Sequence, residues 1–289
     1  MKEIWVLTHR GLEPSRPGFY PESSYEAFAS HLQRGFGIEF DANFVKDGIV
    51  VSHDSNLKRI TNGEDERAFA DMRVEELKKI SYGSEKSKGR IADLGEVMEL
   101  IRGSDSAINA LHLKGGYQTI ENVERLLKEL ENYSDVLGKV IIFDVKPEIA
   151  HYIKSKMPSL KLAPSVAHSF DIKRYNEAVK GTLISVEDAL KFREEEIYDW
   201  VWLDEWDLVD SGGKEKKFYS GENFEKLRRA GYRIGLVTPE LHGSSPWLLG
   251  GEAHADASDK ERLFVRIREI IALEPDAVCT DWPEEVSRL

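Results

Sequence analysis

The chain has 289 residues, of which 41% are hydrophobic and 32% are charged, a composition typical of a soluble globular protein with a substantial core. Its 40 basic and 52 acidic residues give a formal charge of −12, which argues against nucleic acid or an anionic membrane as a partner and leaves room for a small anionic substrate in a local basic pocket. The single cysteine, Cys279, excludes an internal disulfide and favours a reducing compartment, so we expect a cytoplasmic protein.

Short apolar runs alternate with amphipathic helical patterns along the chain. The predicted strands are Ile4–Thr8, Gly37–Asp41, Ile49–His53, Asn109–Lys114, Val140–Asp144, Leu162–Ala167, Trp200–Asp204, Ile234–Thr238 and Ala277–Asp281. The predicted helices are Ser23–Gly35, Leu94–Ile101, Ile120–Leu130, Glu148–Lys156, Asn223–Arg229 and Lys260–Leu273. This alternation, without a break in composition, predicts an α/β protein with one domain over residues 1–289, a (β/α)8 TIM barrel. An open, doubly wound sheet is the alternative.

Several local features add to this pattern. The first helix opens with a predicted capping box, Ser23 and Glu26. The polar stretches Tyr82–Arg90 and His242–Ser258 are predicted to be loops at the barrel rim. The N-terminus, Met1–Leu7, is predicted to be a strand and lacks the pattern of a signal peptide. No apolar run approaches the roughly 18 residues that a transmembrane helix needs, so we expect no stable membrane insertion.

Ionisable residues stand at the end of nearly every predicted strand, on the face where barrel enzymes build their active sites. They are His9, Arg10, Glu39, Asp41, His53, Asp54, His112, Lys114, Asp144, His168, Asp204, Glu205, Glu240 and Asp281. Polar strand ends are common in α/β proteins. The concentration of two histidines and a Glu-x-Asp pair within the first two units is a more specific signal.

The chemistry of that first cluster follows from its residue types. Glu39 and Asp41 are two residues apart on an extended strand and point to one face, so they are candidate ligands for a hard divalent metal, with a surface pair as the alternative. His9 and His53 are suited to general acid and base catalysis near neutral pH, although a single histidine is more often structural. The guanidinium of Arg10 suits phosphate oxygens, with an ordinary ion pair as the alternative.

Five segments within about the first hundred residues match one family in order and spacing. They are HRG at His9–Gly11, PESSYEAF at Pro21–Phe28, GIEFDANFVKDGIVVSHD at Gly37–Asp54, LKRITNG at Leu57–Gly63 and IADLGEVMEL at Ile91–Leu100. Further on, AGYRIGLVT and EPDAVCTDWP stand where that family has its last two strand-loop units. The chain thereby resembles the glycerophosphodiester phosphodiesterase family, whose fold is a (β/α)8 barrel.

The resemblance implies a role for each matched position. It implies that His9 and His53 are an acid/base pair. It also implies that Glu39 and Asp41 are metal ligands, and that Arg10 and Lys114 contact phosphate. Lys114 matches the lysine of a Glu-x-Lys strand in the family. The glutamate of that strand, a metal ligand, is replaced here by His112.

This replacement leaves two interpretations open. Imidazole also binds metals, so we expect Glu39, Asp41 and His112 to hold a divalent ion, either Mg²⁺, Ca²⁺ or Mn²⁺, with softer metals favoured by the histidine. Alternatively, the metal site is degraded and His112 is structural. A second departure from the family is LVTPELHG at 236–243, and we expect the loop that follows, with His242, Trp247 and His254, to reshape the substrate pocket.

The predicted function is metal-dependent hydrolysis of a small glycerophosphodiester to glycerol phosphate and an alcohol, with histidine general acid–base catalysis. The nucleophile is either water or a neighbouring hydroxyl of the substrate. One alternative is a phospholipase D-like lipid phosphodiesterase, for which secretion and membrane contact are expected. The other is a non-catalytic ligand-binding descendant, which the His112 replacement favours and the retention of the other site residues disfavours. The head group and the oligomeric state are open.

Overall fold

The computed structural model describes residues 3–205, 213–214, 216–239 and 259–289. The strands are, in chain order, β1 (Trp5–Thr8), β2 (Gly37–Phe44), β3 (Ile49–Val51), β4 (Ser81–Ser84), β5 (Ser87–Arg90), β6 (Ala92–Asp93), β7 (Asn109–His112), β8 (Val140–Phe143), β9 (Lys161–Ala163), β10 (Ser165–Val166), β11 (Trp200–Leu203), β12 (Arg233–Val237) and β13 (Ala277–Thr280). The helices are α1 (Tyr25–Gln33), α2 (Val74–Leu77), α3 (Leu94–Arg102), α4 (Ile120–Leu130), α5 (Pro147–Lys156), α6 (Ser169–Val179), α7 (Val186–Phe192), α8 (Gly221–Arg229), α9 (Lys260–Ile271) and α10 (Pro283–Val286).

Nine of these strands run parallel around a barrel, in the order β1, β2, β7, β8, β9, β10, β11, β12 and β13, with β13 paired to β1. β9 and β10 are two halves of the fifth barrel strand, separated by Pro164, which has no backbone N–H to donate to a ladder. Around this break the backbone N–H of Asp199 donates to the carbonyl of Leu162, and that of Trp202 to Pro164, both at 3.0 Å. The predicted TIM barrel is confirmed, and the open sheet is excluded.

The six predicted helices are present, because their apolar residues recur at the spacing that buries one helix face. α4 has the predicted ends; Thr119 caps its N-terminus by accepting a hydrogen bond from the backbone N–H of Asn122. Its apolar stripe is buried against the barrel and comprises Val123, Leu126, Leu127 and Leu130. Among the described residues, no helix is both long and apolar enough to cross a membrane.

The stretch predicted to be a loop at Tyr82–Arg90 is instead part of an antiparallel hairpin formed by β4 and β5. Its residues are small and polar, so the hydrophobic pattern gave no strand signal. Packing against the rest of the protein stabilises the hairpin instead. Tyr82 is buried, and its hydroxyl donates to the carbonyl of Glu22 at 3.0 Å. A Cβ atom on Gly83 or Gly89 would lie 3.0 Å from Pro21, so the glycines allow the hairpin to pack closely against that loop.

The predicted capping box of the first helix is also wrong. Ser24, one residue later, is the N-cap and accepts a hydrogen bond from the backbone N–H of Ala27 at 3.1 Å. Ser23 lies just outside the helix with φ at +56°. Glu26 faces elsewhere and accepts a hydrogen bond from the backbone N–H of Arg90 at 2.9 Å. Two adjacent serines make the register of such a cap ambiguous in sequence.

Sequence patterns predicted no helix at α6, which lies on the carboxyl-end face of the barrel. The chain leaves the fifth strand and returns to it, since the N–H of Ala167 donates to the carbonyl of Ile184 at 3.1 Å. Thr182, in the returning segment, donates through Oγ1 to the carbonyl of Asp144 at 2.8 Å. Of the described side chains on α6 only Asp171 is buried, so hydrophobic periodicity could not reveal this helix.

The barrel interior is filled by side chains that alternate with those facing the helices. They include Leu7, Ile108, Ala110, Ile141, Phe143, Ala163, Trp200, Trp202, Ala277 and Cys279. The rings of Phe143 and Trp202 stack with centroids 4.3 Å apart. Gly235 in β12 makes room for this stack, because a Cβ atom there would lie 2.8 Å from Cε3 of Trp202.

Helix α1 carries a buried histidine, His31, that supports the turn after β1. Its Nε2 lies 3.1 Å from the carbonyl of Gly11, and its Nδ1 lies 2.7 Å from Nη2 of Arg34. Burial and the neighbouring Arg34 guanidinium lower the pKa of His31 to about 3. The imidazole is therefore neutral, with Nε2 donating to the carbonyl and Nδ1 accepting from the arginine.

This histidine makes the stability of the fold depend on pH. Below its ordinary pKa of 6.5 the unfolded chain binds a proton at His31 that the folded chain excludes until about pH 3. The contribution of His31 to the free energy of unfolding is thus fully present above pH 6.5 and is lost as the pH falls. Between pH 6.5 and 5 this group alone lowers the free energy of unfolding by about 2 kcal/mol. Denaturant unfolding at pH 7.5 and pH 5 should show a smaller difference for His31→Gln than for wild type. His151→Gln, which changes an exposed histidine, should match wild type; an equal difference in all three proteins would contradict this account.

Candidate active site

All seven residues predicted to form the site lie at the carboxyl-end face of the barrel, in its first three units. They are His9 and Arg10 after β1, Glu39 and Asp41 in β2, His53 after β3, His112 at the end of β7 and Lys114 just beyond it. Parallel strands in register explain this convergence, since Asp41 is the Cα partner of His112 across β2 and β7.

Glu39 and Asp41 are almost fully buried, at 3% and 1% exposure. Burial and the neighbouring carboxylate of Asp41 raise the pKa of Glu39 above its usual range. Burial acts on Asp41 in the same direction, but Lys114 and the hydrogen-bonded His112 outweigh it and hold the pKa of Asp41 well below its usual range. Two buried carboxylates side by side demand compensating positive charge.

His112 lies between two carboxylates. Its Nδ1 is 2.9 Å from Oδ1 of Asp41, and its Nε2 is 3.5 Å from Oδ2 of Asp144. Burial opposes a charge on the imidazole, but the hydrogen bonds to Asp144 and Asp41 outweigh it and raise the pKa of His112 to about 9. The ring also stacks on Phe143, with centroids 4.7 Å apart and planes 15° from parallel. The histidine is therefore held on two edges and one face.

Ligand atoms of Glu39, Asp41 and His112 lie within 4.8 Å of one another and could hold a metal ion. Oδ2 of Asp41 is buried and accepts no hydrogen bond among the described residues, although Nε of Arg10 is 4.0 Å away. An oxygen left in this state suits a cation. One imidazole and two carboxylates fit Mn²⁺ or Zn²⁺ as well as harder ions.

His9 is oriented by a carboxylate from the far end of the chain. Its Nδ1 lies 2.9 Å from Oδ1 of Asp281, which directly follows β13, and β13 pairs with β1. With Nδ1 donating to this carboxylate, Nε2 is the nitrogen left to exchange a proton. Sequence analysis noted Asp281 as a polar strand end and assigned it no role.

His53 has its own carboxylate partner. Its Nδ1 lies 3.1 Å from Oδ1 of the adjacent Asp54, whose Oδ2 accepts from Nε of Arg59 at 2.6 Å. Burial resists the charge of Asp54, but the bonds to His53 and Arg59 lower the pKa of this carboxyl to about 2. Desolvation, aided by the charge of Arg10, lowers the pKa of His53 to about 4 despite the bond to Asp54. His53 is therefore neutral at pH 7.

Arg10 is held by its backbone in an uncommon conformation, with φ at +54°. Its N–H donates to Oε2 of Glu39 at 3.1 Å, and its carbonyl accepts from the N–H of Ser23 at 2.7 Å. Gly11 follows with φ at +73°, in contact with Ala27, where a side chain would be strained. This turn directs the guanidinium to within 4.0 Å of Oδ2 of Asp41.

Lys114 brings a second cation to the same carboxylate. Its Nζ lies 3.2 Å from Oδ1 of Asp41 and also donates to the carbonyl of His53. The Lys114 side chain is 25% exposed, so it contacts buried Asp41 and also lies partly open to solvent. Arg10, which is buried, and Lys114, which is partly exposed, thus place two positive charges beside Asp41.

Comparison with known proteins identifies the group to which this site belongs. The sequence model of the glycerophosphoryl diester phosphodiesterase family matches residues 9–192. The chain belongs to this family. It is accordingly a phosphodiesterase of the glycerophosphodiester type. No curated protein matches the chain significantly.

Solved structures of phosphodiesterases share the fold. A protein from Galdieria sulphuraria, assigned as a glycerophosphodiester phosphodiesterase, has a TM-score of 0.69 and 18% identity, covering 99% of this chain and 97% of its own. A glycerophosphoryl diester phosphodiesterase from Parabacteroides distasonis has a TM-score of 0.66 and 20% identity, with coverages of 99% and 85%. An Oleispira antarctica phosphodiesterase, solved with its product sn-glycerol-3-phosphate, has a TM-score of 0.63 and 18% identity, with coverages of 98% and 95%.

Several residues near the site of this phosphodiesterase were not singled out in sequence. Glu22 and Arg59 lie within the family-like segments PESSYEAF and LKRITNG, which was the available signal. Tyr175 on α6 had none; its ring contacts Gly181, where a Cβ atom would lie 2.4 Å from Cε1. Burial and the charges of Asp144 and Asp204 raise the pKa of Tyr175 well above its usual range, so its phenol is protonated near the site.

Other polar residues from the sequence analysis are not part of this cluster. His168 caps α6, its Nδ1 accepting from the backbone N–H of Phe170 at 3.2 Å. The residues predicted to reshape the substrate pocket lie outside the described part of the structure, as does a further strand-end candidate; they are His242, Trp247 and His254, and Glu240.

The Asp281 contact yields the first test of the site. Asp281→Asn preserves shape but offers an amide that can donate to Nδ1 and stabilise the wrong tautomer of His9. We expect turnover to fall by about 10²–10⁴-fold, the usual share of acid–base catalysis, with a small change in KM. Steady-state kinetics should be compared with Asp276→Asn, at the opposite end of the same strand, which should remain active. Near-native turnover of Asp281→Asn would rule out this role.

The metal cluster is tested by binding rather than by activity. Isothermal titration with Mn²⁺ should show at least about tenfold weaker affinity for His112→Ala and for Glu39→Gln than for wild type, because each variant loses one ligand. His112→Glu should shift preference toward Ca²⁺, since a third carboxylate makes the site harder. His151→Ala provides an exposed-histidine control. Unchanged Mn²⁺ affinity in His112→Ala would show that this imidazole is no ligand.

Proposed function

We propose that the protein hydrolyses a small glycerophosphodiester to glycerol phosphate and an alcohol, with His9 and His53 as its catalytic residues. The observation that carries the proposal is that each histidine has Nδ1 bonded to its own carboxylate, Asp281 or Asp54, beside one buried group of metal-ligand type. Family membership supports the reaction class, and the glycerol phosphate in the Oleispira antarctica structure shows a product of this type in a protein of the same fold.

Substrate charge is met by two side chains of different shape. The guanidinium of Arg10 offers several N–H donors in a plane, and the ammonium of Lys114 offers a compact charge. Both are already within 4.0 Å of Asp41, so a phosphate bound between them would share their field with that carboxylate. This arrangement favours a diester with a single negative charge.

We propose that Glu39, Asp41 and His112 hold a divalent cation. Bound there, it supplies positive charge that stabilises the negative charge growing on the phosphate oxygens. The protein contributes the ligand positions: β2 sets the two carboxylates on one face, and β7 sets His112 opposite Asp41. His112, held between Asp41 and Asp144 before a cation binds, must release its proton to become a ligand.

Proton movements follow from the two histidines. His53, neutral at pH 7, accepts the proton of the attacking oxygen, which belongs to water or to a neighbouring substrate hydroxyl. As the new P–O bond forms, the bond from phosphorus to the alcohol oxygen breaks, and His9 donates a proton from Nε2 to that oxygen. Asp281 stabilises the imidazolium form of His9 before this transfer. Attack by a hydroxyl adds a second step in which water opens the cyclic phosphate.

The replacement at His112 is the observation that favours a non-catalytic ligand-binding protein instead. In that case phosphate would still bind at Arg10 and Lys114, but no diester would be cleaved. The supported histidines argue against this, because simple binding requires no carboxylate behind either imidazole. The proposed cytoplasmic location agrees with Cys279, which is buried and forms no disulfide.

The decisive experiment is a screen of glycerophosphodiesters with several divalent metals and a chelator control, measuring the glycerol phosphate released. His9→Ala and His53→Ala should each lower turnover by about 10²–10⁴-fold, because each removes a different proton transfer. His151→Ala, an exposed histidine on α5, should leave turnover unchanged. A lysophospholipid in the same screen tests the lipid phosphodiesterase alternative.

Two results would contradict the proposal. Near-native turnover of either site variant would remove that histidine from the mechanism. Binding of diesters by wild type without any cleavage, under every metal tested, would establish the non-catalytic function.

A further inference from the structure

A cavity of about 600 Å³ lies beside the catalytic group, between the loop that links β1 to α1 and the segment after β3. Its lining includes Arg16, Phe19, Tyr20, Glu22 and Arg59. None of these residues has a part in the chemistry proposed above. The volume lies within the range that small-molecule sites occupy.

Glu22 joins this cavity to the phosphate-binding side of the site. Its Oε2 lies 3.8 Å from Nη1 of Arg10, while its Oε1 accepts a hydrogen bond from Arg59. Arg59 in turn donates to Asp54, the carboxylate behind His53, at 2.6 Å. The cavity is therefore adjacent to Arg10. If a diester bound at Arg10, one of its two alcohol groups could extend into the cavity.

The surroundings of the Glu22 carboxylate indicate whether this alcohol is charged or neutral. Oε2 is buried and accepts no hydrogen bond among the described residues. The carboxylate is flanked by the guanidinium groups of Arg10 and Arg59, so its charge is already matched. An additional ammonium would meet two positive neighbours, whereas a hydroxyl could donate to the partly exposed Glu22 carboxylate without adding charge.

The remaining walls are apolar and weakly basic. Tyr20 is 39% exposed, and its ring packs edge-on against Phe19, with centroids 5.5 Å apart. Arg16 lies over the Phe19 ring at 5.4 Å, and among the described residues its ion-pair partner is Glu284, 3.9 Å away. Aromatic faces of this kind pack against C–H surfaces, and the arginine opposes a cation that the rings alone would attract.

We propose that this cavity binds the alcohol half of the diester and selects an uncharged polyhydroxy alcohol, such as a second glycerol or an inositol, over choline or ethanolamine. The inference rests on the proposed phosphodiesterase function and adds its substrate class. Glu22 accepts a hydrogen bond from one hydroxyl, Tyr20 covers the carbon skeleton, and Arg16 disfavours a cationic head group.

The test compares kcat/KM for glycerophosphoglycerol, glycerophosphoinositol, glycerophosphocholine and glycerophosphoethanolamine, with a nitrophenyl phosphodiester that lacks any polyol. Wild type should prefer the two polyol substrates. Tyr20→Ala should lower kcat/KM for them by about tenfold, as expected for a lost pocket contact, and leave the nitrophenyl ester within about twofold. Tyr20→Phe, which keeps the ring, should resemble wild type, and Tyr152→Ala is the control for a tyrosine outside the cavity.

A second variant tests the charge argument independently of the ring. Arg16→Glu should raise kcat/KM for the choline substrate relative to the polyol substrates, because it reverses the charge at the cavity wall. An equal loss for all four glycerol diesters in Tyr20→Ala would show that the cavity binds the shared glycerol half, and the proposal would fall. No polyol preference in wild type, with the nitrophenyl ester cleaved, would overturn this inference alone; no cleavage of any ester would overturn the phosphodiesterase function itself.

Discussion

Burying two carboxylates next to each other on one strand is the constraint that organises this protein. Glu39 and Asp41 lie on the same face of β2 with almost no contact with water. Such a pair is unstable without positive charge nearby, and the charge cannot come from β2 itself. It arrives from two other places in the chain: the turn after β1 supplies Arg10, and β7 with its following residues supplies His112 and Lys114.

Closure of the barrel holds these charged residues in their positions around the site. A closed ring places the last strand beside the first, so a carboxylate 272 residues away in sequence can orient His9. His53, by contrast, obtains its carboxylate from the next residue, Asp54. The two histidines therefore have the same kind of support from opposite sources, one long-range and one local. Loss of barrel closure would disconnect His9 and leave the local pair at His53 intact.

The features that the sequence revealed are those with a regular pattern. Barrel strands and most helices follow hydrophobic periodicity, and the rule that active sites lie at strand carboxyl ends located a wider set of polar residues. The resemblance to the family narrowed that set to the seven predicted site residues. The β4–β5 hairpin and α6 escaped because their stability comes from contacts such as Tyr82 on the loop before α1 and Asp171 with Lys216, which no local pattern records. The role of Asp281 depends on the pairing of β13 with β1, which only a closed barrel establishes.

The position of His112 could be identified as a departure from the family, but its surroundings could not. The imidazole stacks on Phe143, and Phe143 stacks on Trp202. Trp202 fits because Gly235 has no side chain that would collide with its ring. A carboxylate at the same position would have no aromatic ring to add to this column.

The imidazole of His112 is thus embedded in the packing of the barrel interior. Phe143, Trp202 and Gly235 form a background that favours a ring at position 112 over a side chain without one, whichever is the better metal ligand. His112→Glu would uncover one face of the Phe143 ring, so the choice of residue at position 112 is coupled to β8, β11 and β12, which carry Phe143, Trp202 and Gly235.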